Sequence, residues 1–227
     1  MSALRLAVFD MDGTLMDSQD SIVAAMEAAF AGYDLTPPAR AEILSIVGLS
    51  LFEAVAVLLP GHPDDLVARV ADAYKASFIA QRARTGGEAS APLYPGARAA
   101  IETLAAQQDV LLGVATGKAR RGLDHAFAAH GLDPFFSTRQ TADHHPSKPH
   151  PSMVLRCLQE TGAEKARTVM IGDTVFDIEM GRAAGVRTLG VTWGYHPVAD
   201  LKAAGADLLV DDFADVPRAL EDLWERR

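Results

Sequence analysis

The sequence predicts an α/β fold: a parallel sheet with helices on both faces, plus an inserted segment that is helical throughout. Three observations carry the prediction. Short apolar runs of strand length recur along the chain. Stretches of helical character lie between several of them, the alternation that builds parallel sheets. Residues 17–93 have helical spacing but no comparable run.

Leu4–Phe9 is the first run, and it ends in a carboxylate, Asp10, as a buried strand does on reaching a loop. Its unbroken apolarity suits a strand covered on both faces. Residues 17–93 follow, rich in Ala, Leu and Val, with Ile22, Val23, Met26, Ala29 and Phe30 at helical spacing. Turn chemistry punctuates them at Thr36-Pro37-Pro38, Pro60-Gly61-His62-Pro63 and Gly86-Gly87, and Tyr94-Pro95-Gly96 closes them. Beyond lie apolar runs at Val110–Ala115, Thr168–Ile171 and Arg187–Val191, with a weaker one at Asp207–Val210. Helical segments are expected at Gly96–Gln107, Gly122–His130, Ser152–Thr161 and Asp177–Ala184. Gly131, Gly162 and Gly185 stand just past three of these, where a left-handed residue commonly ends a helix. The expected organisation is a Rossmann-like core of residues 1–16 and 94–227 and a helical domain of residues 17–93. Open parallel sheets bind ligands beyond the carboxyl ends of their strands, and the insertion leaves the sheet at that end. It is expected to cap an active site.

Composition agrees with a globular chain. Of 227 residues, 49% are hydrophobic and 22% charged, which argues against disorder. A chain of this length buries roughly 70% of its unfolded surface, enough for a core without staples. The single cysteine, Cys157, rules out an internal disulfide and fits a reducing compartment. The net charge of −9 disfavours nucleic acid and anionic membranes as partners, although a few fixed cations can still serve a small anionic substrate. No apolar run approaches the ~18 residues of a membrane span. The stretch Met1–Phe9 is too short for the apolar region of a signal peptide. A cytoplasmic protein, monomer or homodimer, is expected.

The strongest chemical signal is Asp10-Met11-Asp12-Gly13-Thr14-Leu15, directly after the first run. Carboxylates two residues apart project to the same side of an extended chain, and Gly13 then lets the backbone turn away. Five specified residues recur by chance in such a chain with probability on the order of 10⁻³ or less. Asp17 and Ser18 offer a helix N-cap. A second acidic pair, Asp173 and Asp177, follows another apolar run; Asp177 also suits a helix N-terminus. Four carboxylates at neighbouring strand ends repel one another unless a cation bridges them, and Mg²⁺ is the hard divalent ion that also tolerates phosphate oxygens. Thr116-Gly117 places a hydroxyl and a flexible backbone amide at a further strand end, ready for an anion. Lys148 sits in a Pro-flanked loop before a helix. His144, His145 and His150 lie near it and read as a polar loop rather than a soft-metal cluster, since carboxylates already supply an oxygen site.

In these motifs the chain resembles the haloacid dehalogenase-like hydrolases, the aspartate-nucleophile phosphatases. Asp10–Leu15 looks like the family's first motif, Thr116 its second, Lys148 its third, and Gly172-Asp173 with Asp177 its fourth, in the family's order. The wording of Ala115-Thr116-Gly117-Lys118, Lys148-Pro149-His150-Pro151 and Gly181–Gly185 looks closest to the phosphoglycolate phosphatase-like branch. The resemblance implies Asp10 as nucleophile and Asp12 as acid/base. It implies Mg²⁺ held by the Asp10 side chain, the Asp12 carbonyl and Asp173, with Asp177 in or beside the shell. Lys148, Thr116 and amides near Met11 and Gly117 would hold phosphate oxygens. In the cap, Gly48, Leu49 and Ser50 lie where related proteins place a specificity loop, and Arg82 or Arg84 could meet a carboxylated substrate.

The expected activity is hydrolysis of a small phosphorylated metabolite. A phosphomutase of the same superfamily would use the same residues with another acceptor. A phosphorylated-aspartate receiver module is the non-enzymatic alternative, but it needs neither the insertion nor a carboxylate at Asp12. Asp12 also argues against halide removal, whose leaving group needs no proton. Lys75 is the one lysine of the insertion, and nothing in its setting marks it as a Schiff-base amine.

Overall fold

The computed structural model of the protein describes residues 4–86 and 91–225. Its sheet consists of β1 (Arg5–Phe9), β2 (Val110–Thr116), β3 (Phe136–Thr141), β4 (Thr168–Gly172), β5 (Arg187–Val191) and β6 (Leu208–Val210). All pairings are parallel, in the order β3-β2-β1-β4-β5-β6. This is a Rossmann-like α/β fold. The chain winds outward from β1 to β3 and then returns to the other side of β1. The switch point, where open sheets bind ligands, therefore lies at the carboxyl end of β1.

Why β1 is apolar at every position is visible in its packing. Ala7 and Phe9 join one buried cluster, with Val110, Leu112 and Val114 of β2 and Ile101, Leu123, Phe127 and Leu220 of the covering helices. Leu6 and Val8 join the opposite cluster with Met153, Cys157, Met170 and Met180. Alternate residues of one strand thus feed two cores. The helices that supply them are α5 (Ala97–Ala105), α6 (Arg120–His130), α7 (Ser152–Thr161), α8 (Val175–Ala184), and α10 (Val216–Glu225), with α9 (Val198–Ala204) before β6.

Residues between β1 and α5 form α1 (Gln19–Ala31), α2 (Arg40–Ser45), α3 (Leu51–Leu58) and α4 (Asp64–Thr85), a helical segment with no sheet strand among its described residues. Ile22, Val23, Met26, Ala29 and Phe30 of α1 pack on Ile43, Val55, Val67 and Val70 in a core of their own. The chain leaves and returns along adjacent paths. Asp17 N donates to Pro92 O at 2.8 Å, and Tyr94 N donates to Leu15 O at 3.0 Å. Of the Gly86-Gly87 turn, only Gly86 lies within the described residues, as does only part of Met1–Phe9. Among the described residues no helix is long and apolar enough to cross a membrane.

Several elements depart from sequence expectation. Strand β3 carries the polar sequence Phe-Ser-Thr-Arg-Gln-Thr and escapes an apolarity criterion. It is an edge strand, and its buried polar groups are satisfied sideways: Thr138 Oγ1 and Gln140 Nε2 both donate to Glu160, at 2.6 and 2.8 Å. The helix expected from Asp177 begins two residues earlier, at Val175, because Thr174 and Asp177 exchange hydrogen bonds in a capping box. Helices α9 and α10 have no counterpart in the expectation.

Candidate active site

Parallel register levels the strand ends. Phe9 stands opposite Val114 on one side and Ile171 on the other, so Asp10 emerges one residue before the positions of Thr116 and Asp173. Beyond Phe9 the backbone folds into a tight loop in which Thr14, Leu15 and Met16 amides all donate to the Met11 carbonyl. Gly13 makes this loop possible, with φ +87°, and passes so close to Asp173 that an added Cβ would meet its Oδ2 at 2.2 Å. Thr14 and Asp173 are held together on the same turn, the hydroxyl donating to Oδ1 at 2.7 Å. Gly13→Ala should therefore displace Asp173 and lower stability by about 1–3 kcal/mol; thermal unfolding of the variant beside the parent checks it.

Asp10, Asp173 and Asp177 are all buried, and each offers a carboxylate oxygen within 4.8 Å of the others. Lys148, expected in a Pro-flanked loop as a phosphate contact, is not a surface lysine. It is 2% exposed, with Nζ 2.6 Å from Asp177 Oδ1 and 3.0 Å from Asp10 Oδ1. Burial opposes its charge, but the carboxylates of Asp10 and Asp177 outweigh that and hold its pKa above the usual lysine range. Burial, reinforced by the Asp177 charge, pushes the Asp10 carboxyl up to about 6 despite Lys148. Burial and the same neighbours raise Asp173 well above the ordinary carboxylate range, although Tyr195 N and Thr14 support it. Three buried acids against one ammonium leave an excess of negative charge, and Asp10 Oδ1, although ion-paired, has no partner with hydrogen-bond geometry. An all-oxygen, electron-rich set of this kind fits a hard divalent cation. Asp177 has both oxygens engaged, by Lys148 and by Thr174.

Asp12 stands apart from the three acids and faces the helical segment. Ser18 Oγ donates to its Oδ1 at 2.5 Å, and Lys118 Nζ lies 2.8 Å from its Oδ2. Ser18 takes the N-cap position of α1, as expected, but its side chain makes no capping bond because its hydroxyl is spent on Asp12. Asp17 Oδ1 instead accepts from Gln19 N at 3.2 Å. Lys118 in turn lies over the Phe78 ring of α4, 5.3 Å from its centroid. Burial and the Asp12 charge raise the hydroxyl pKa of both Tyr74 and Tyr195. Sequence reading missed Lys118, Tyr74, Phe78 and Tyr195 as neighbours of Asp12. The lysine adjoins Thr116-Gly117 and carried a local signal; the others come from distant segments and carried none.

A cavity of about 470 Å³ opens over Asp10 and Asp12, and Gly48, Leu49, Ser50, Arg82, Thr116, Gly117 and Lys118 all line it. Close approach positions the 48–50 loop: a Cβ on Gly117 would lie 2.5 Å from the carbonyl oxygens of Gly48 and Leu49. Ser50 N donates to Ser147 Oγ at 2.8 Å, tying the same loop to the one that carries Lys148. Thr116 is buried, its hydroxyl accepting from Lys118 N at 3.2 Å. Met11 is buried directly behind Asp10, with its amide supporting that carboxylate. Arg84 does not line the cavity, whereas Lys75 does and pairs with Asp72 at 3.0 Å. His145 is engaged by Ser152 and Gln140. The only metal-competent group among the described residues is the carboxylate cluster.

Residues 7–191 match the family model described as haloacid dehalogenase-like hydrolase. The chain is 35% identical over 221 residues to a "probable phosphatase IndB" of Dickeya dadantii, covering 96% of this chain and 94% of that protein. It is 32% identical to a phosphoglycolate phosphatase of Rhodospirillum rubrum, covering 93% and 89%. A crystal structure described as that of a predicted phosphatase from Clostridium acetobutylicum shares the fold, with TM-score 0.85, 21% identity and coverage of 97% and 100%.

Proposed function

Because this chain belongs to the haloacid dehalogenase-like hydrolase family, we propose that it is a Mg²⁺-dependent phosphatase of a small phosphate monoester, working through an aspartyl-phosphate on Asp10. The observation that carries this reading is the pairing of a buried carboxylate, Asp10, with a second carboxylate two residues on that has its own separate hydrogen-bond partners. The names of the similar phosphatases support the reaction class.

In this mechanism an Asp10 oxygen forms a bond to phosphorus while the bond from phosphorus to the ester oxygen breaks, and Asp12 gives its proton to the departing alcohol. Water then attacks phosphorus, yielding its proton to Asp12, and the Asp10–phosphorus bond breaks to release inorganic phosphate. Asp10, Asp173 and the Asp12 carbonyl would hold Mg²⁺, with Asp177 orienting Lys148 beside them; the ion supplies charge stabilisation for the transferring group. Lys148 lies within reach of the same oxygens, and Thr116 and the amides near Met11 and Gly117 are the other donors. Ser18 and Lys118 hold the Asp12 side chain toward the cavity. The helical segment of residues 17–93 acts as the cap that limits water at the site.

Inorganic phosphate released from a panel of phosphometabolites tests the proposal, with phosphoglycolate, sugar phosphates and nucleotides included. Release is expected with Mg²⁺ and is expected to vanish on chelation and return on readdition. Release that persists undiminished in excess chelator would remove the metal from the mechanism. Transfer to a second sugar hydroxyl, the mutase reaction, would leave the phosphate esterified and give no such signal.

A further inference from the structure

The cavity over Asp10 and Asp12 is far larger than a two-carbon acid needs: about 470 Å³, within the roughly 300–1,000 Å³ that accommodates drug-sized ligands. Its composition is as informative as its size. Tyr74, Phe78 and Arg82 follow one another at four-residue intervals on α4 and all line the cavity, so they share one helix face. Tyr74 lies within the field of the Asp12 carboxylate. Phe78 comes one turn later, and Arg82 another; at 1.5 Å per residue the Arg82 backbone lies about 12 Å from that of Tyr74. Phe52 and Ile79, 42% and 38% exposed, also line the cavity, leaving large apolar surface in contact with water.

Charge adds a second constraint. The chain carries −9 overall, yet Arg82 and Arg121 both reach this cavity, and among the described residues neither has an ion-pair partner. The other two cations of the lining are already engaged, Lys75 by Asp72 and Lys118 by Asp12. Arg82, two helical turns beyond Tyr74 and without an ion-pair partner among the described residues, complements an anion at the far end of an apolar ligand.

We propose that the substrate is a phosphate monoester whose leaving alcohol carries a ring-sized apolar body and, at its far end, a second anionic group. The inference rests on the phosphatase reading above. The phosphate lies at Asp10, the body against Phe78 and Leu49, and the distal anion is met by Arg82. A two-carbon acid such as glycolate would leave the apolar wall bare.

Four esters of alcohols of similar acidity test this, by kcat/KM for phosphate release with Mg²⁺: ethyl phosphate, 2-phenylethyl phosphate, 2-(4-carboxyphenyl)ethyl phosphate and phosphoglycolate. Burial of the ring is expected to favour 2-phenylethyl over ethyl phosphate by at least about 10-fold. The carboxylate is expected to add roughly 5-fold more, chiefly in KM. Phe78→Ala should erase the ratio between the first two esters, and Arg82→Gln the gain from the carboxylate. Equal values for ethyl and 2-phenylethyl phosphate, no gain from the carboxylate, or phosphoglycolate as the best of the four would overturn the proposal and leave the phosphatase reading standing. No release from any of the four overturns the proposal alone; the phosphatase reading falls only if the phosphometabolite panel also releases no phosphate with Mg²⁺.

Discussion

Asp10→Asn is expected to reduce phosphate release by at least about 10⁴-fold, as loss of a covalent nucleophile does elsewhere. The amide is isosteric with the carboxylate but is too weak a nucleophile to form the phosphoryl bond. Folding should survive. Lys148 retains its 2.6 Å contact with Asp177, and removing one of three buried acids relieves repulsion within the cluster. Steady-state phosphate release with thermal unfolding on the same sample gives both readouts. Activity within about tenfold of the parent, in a folded variant, would sink the nucleophile assignment. Asp12→Asn offers the complementary result. Without a base to activate water, the second step slows, and a mass increase of one phosphoryl group should appear on the peptide containing Asp10.

Lys148→Met is expected to destabilise the metal-free protein by about 3–5 kcal/mol, the usual effect of removing one partner from a buried ion pair. Methionine fills most of the lysine's volume, so the loss is mainly electrostatic. It leaves Asp10, Asp173 and Asp177 within 4.8 Å of one another with no cation among them. A change of that size lowers Tm by roughly 6–15 °C in a chain of this length. The pH dependence has a definite sign. Asp10 titrates at about 6 in the folded protein against 3.8 when unfolded, so the folded state binds its proton more tightly. Its contribution to stability is present at low pH and is lost as pH rises through about 6. Without Lys148 the carboxyl is pushed further in the same direction, so the deficit should be larger at pH 8 than at pH 5. Saturating Mg²⁺ should restore more Tm to the variant than to the parent, because the ion replaces the missing charge. A variant as stable as the parent at pH 8 without metal would show that Lys148 does not offset the cluster.

The cluster of Asp10, Asp173 and Asp177 could be read from sequence because each member is announced locally. Asp10 and Asp173 directly follow apolar runs, and a parallel sheet brings the carboxyl ends of neighbouring strands level whatever the remainder of the chain does. The helical character of residues 17–93 was legible for a similar reason, since Ile22, Val23, Met26, Ala29 and Phe30 repeat with the period of a helix. Strand β3 was not. Its stability comes from partners elsewhere, with Thr138 and Gln140 satisfied by Glu160 on α7, so polar residues could occupy buried positions. Residues around Asp12 were hidden for the same cause. Lys118, Ser18 and Tyr195 reach that neighbourhood from three separate parts of the chain, and no spacing rule connects them.

Sequence by itself determined the α/β class, the helical insertion and the acidic residues that the sheet brings into one cluster, because strand alternation, helical period and carboxylate placement are short-range properties. Tertiary structure alone decided that Lys148 is buried between Asp10 and Asp177, that Asp12 is held by Ser18 and Lys118, and that a cavity with a largely apolar wall, reached by Arg82 and Arg121, lies above them. Those arrangements depend on which distant side chains share one small volume, and the burial and charge they experience there come from the folded surroundings rather than from neighbours along the chain.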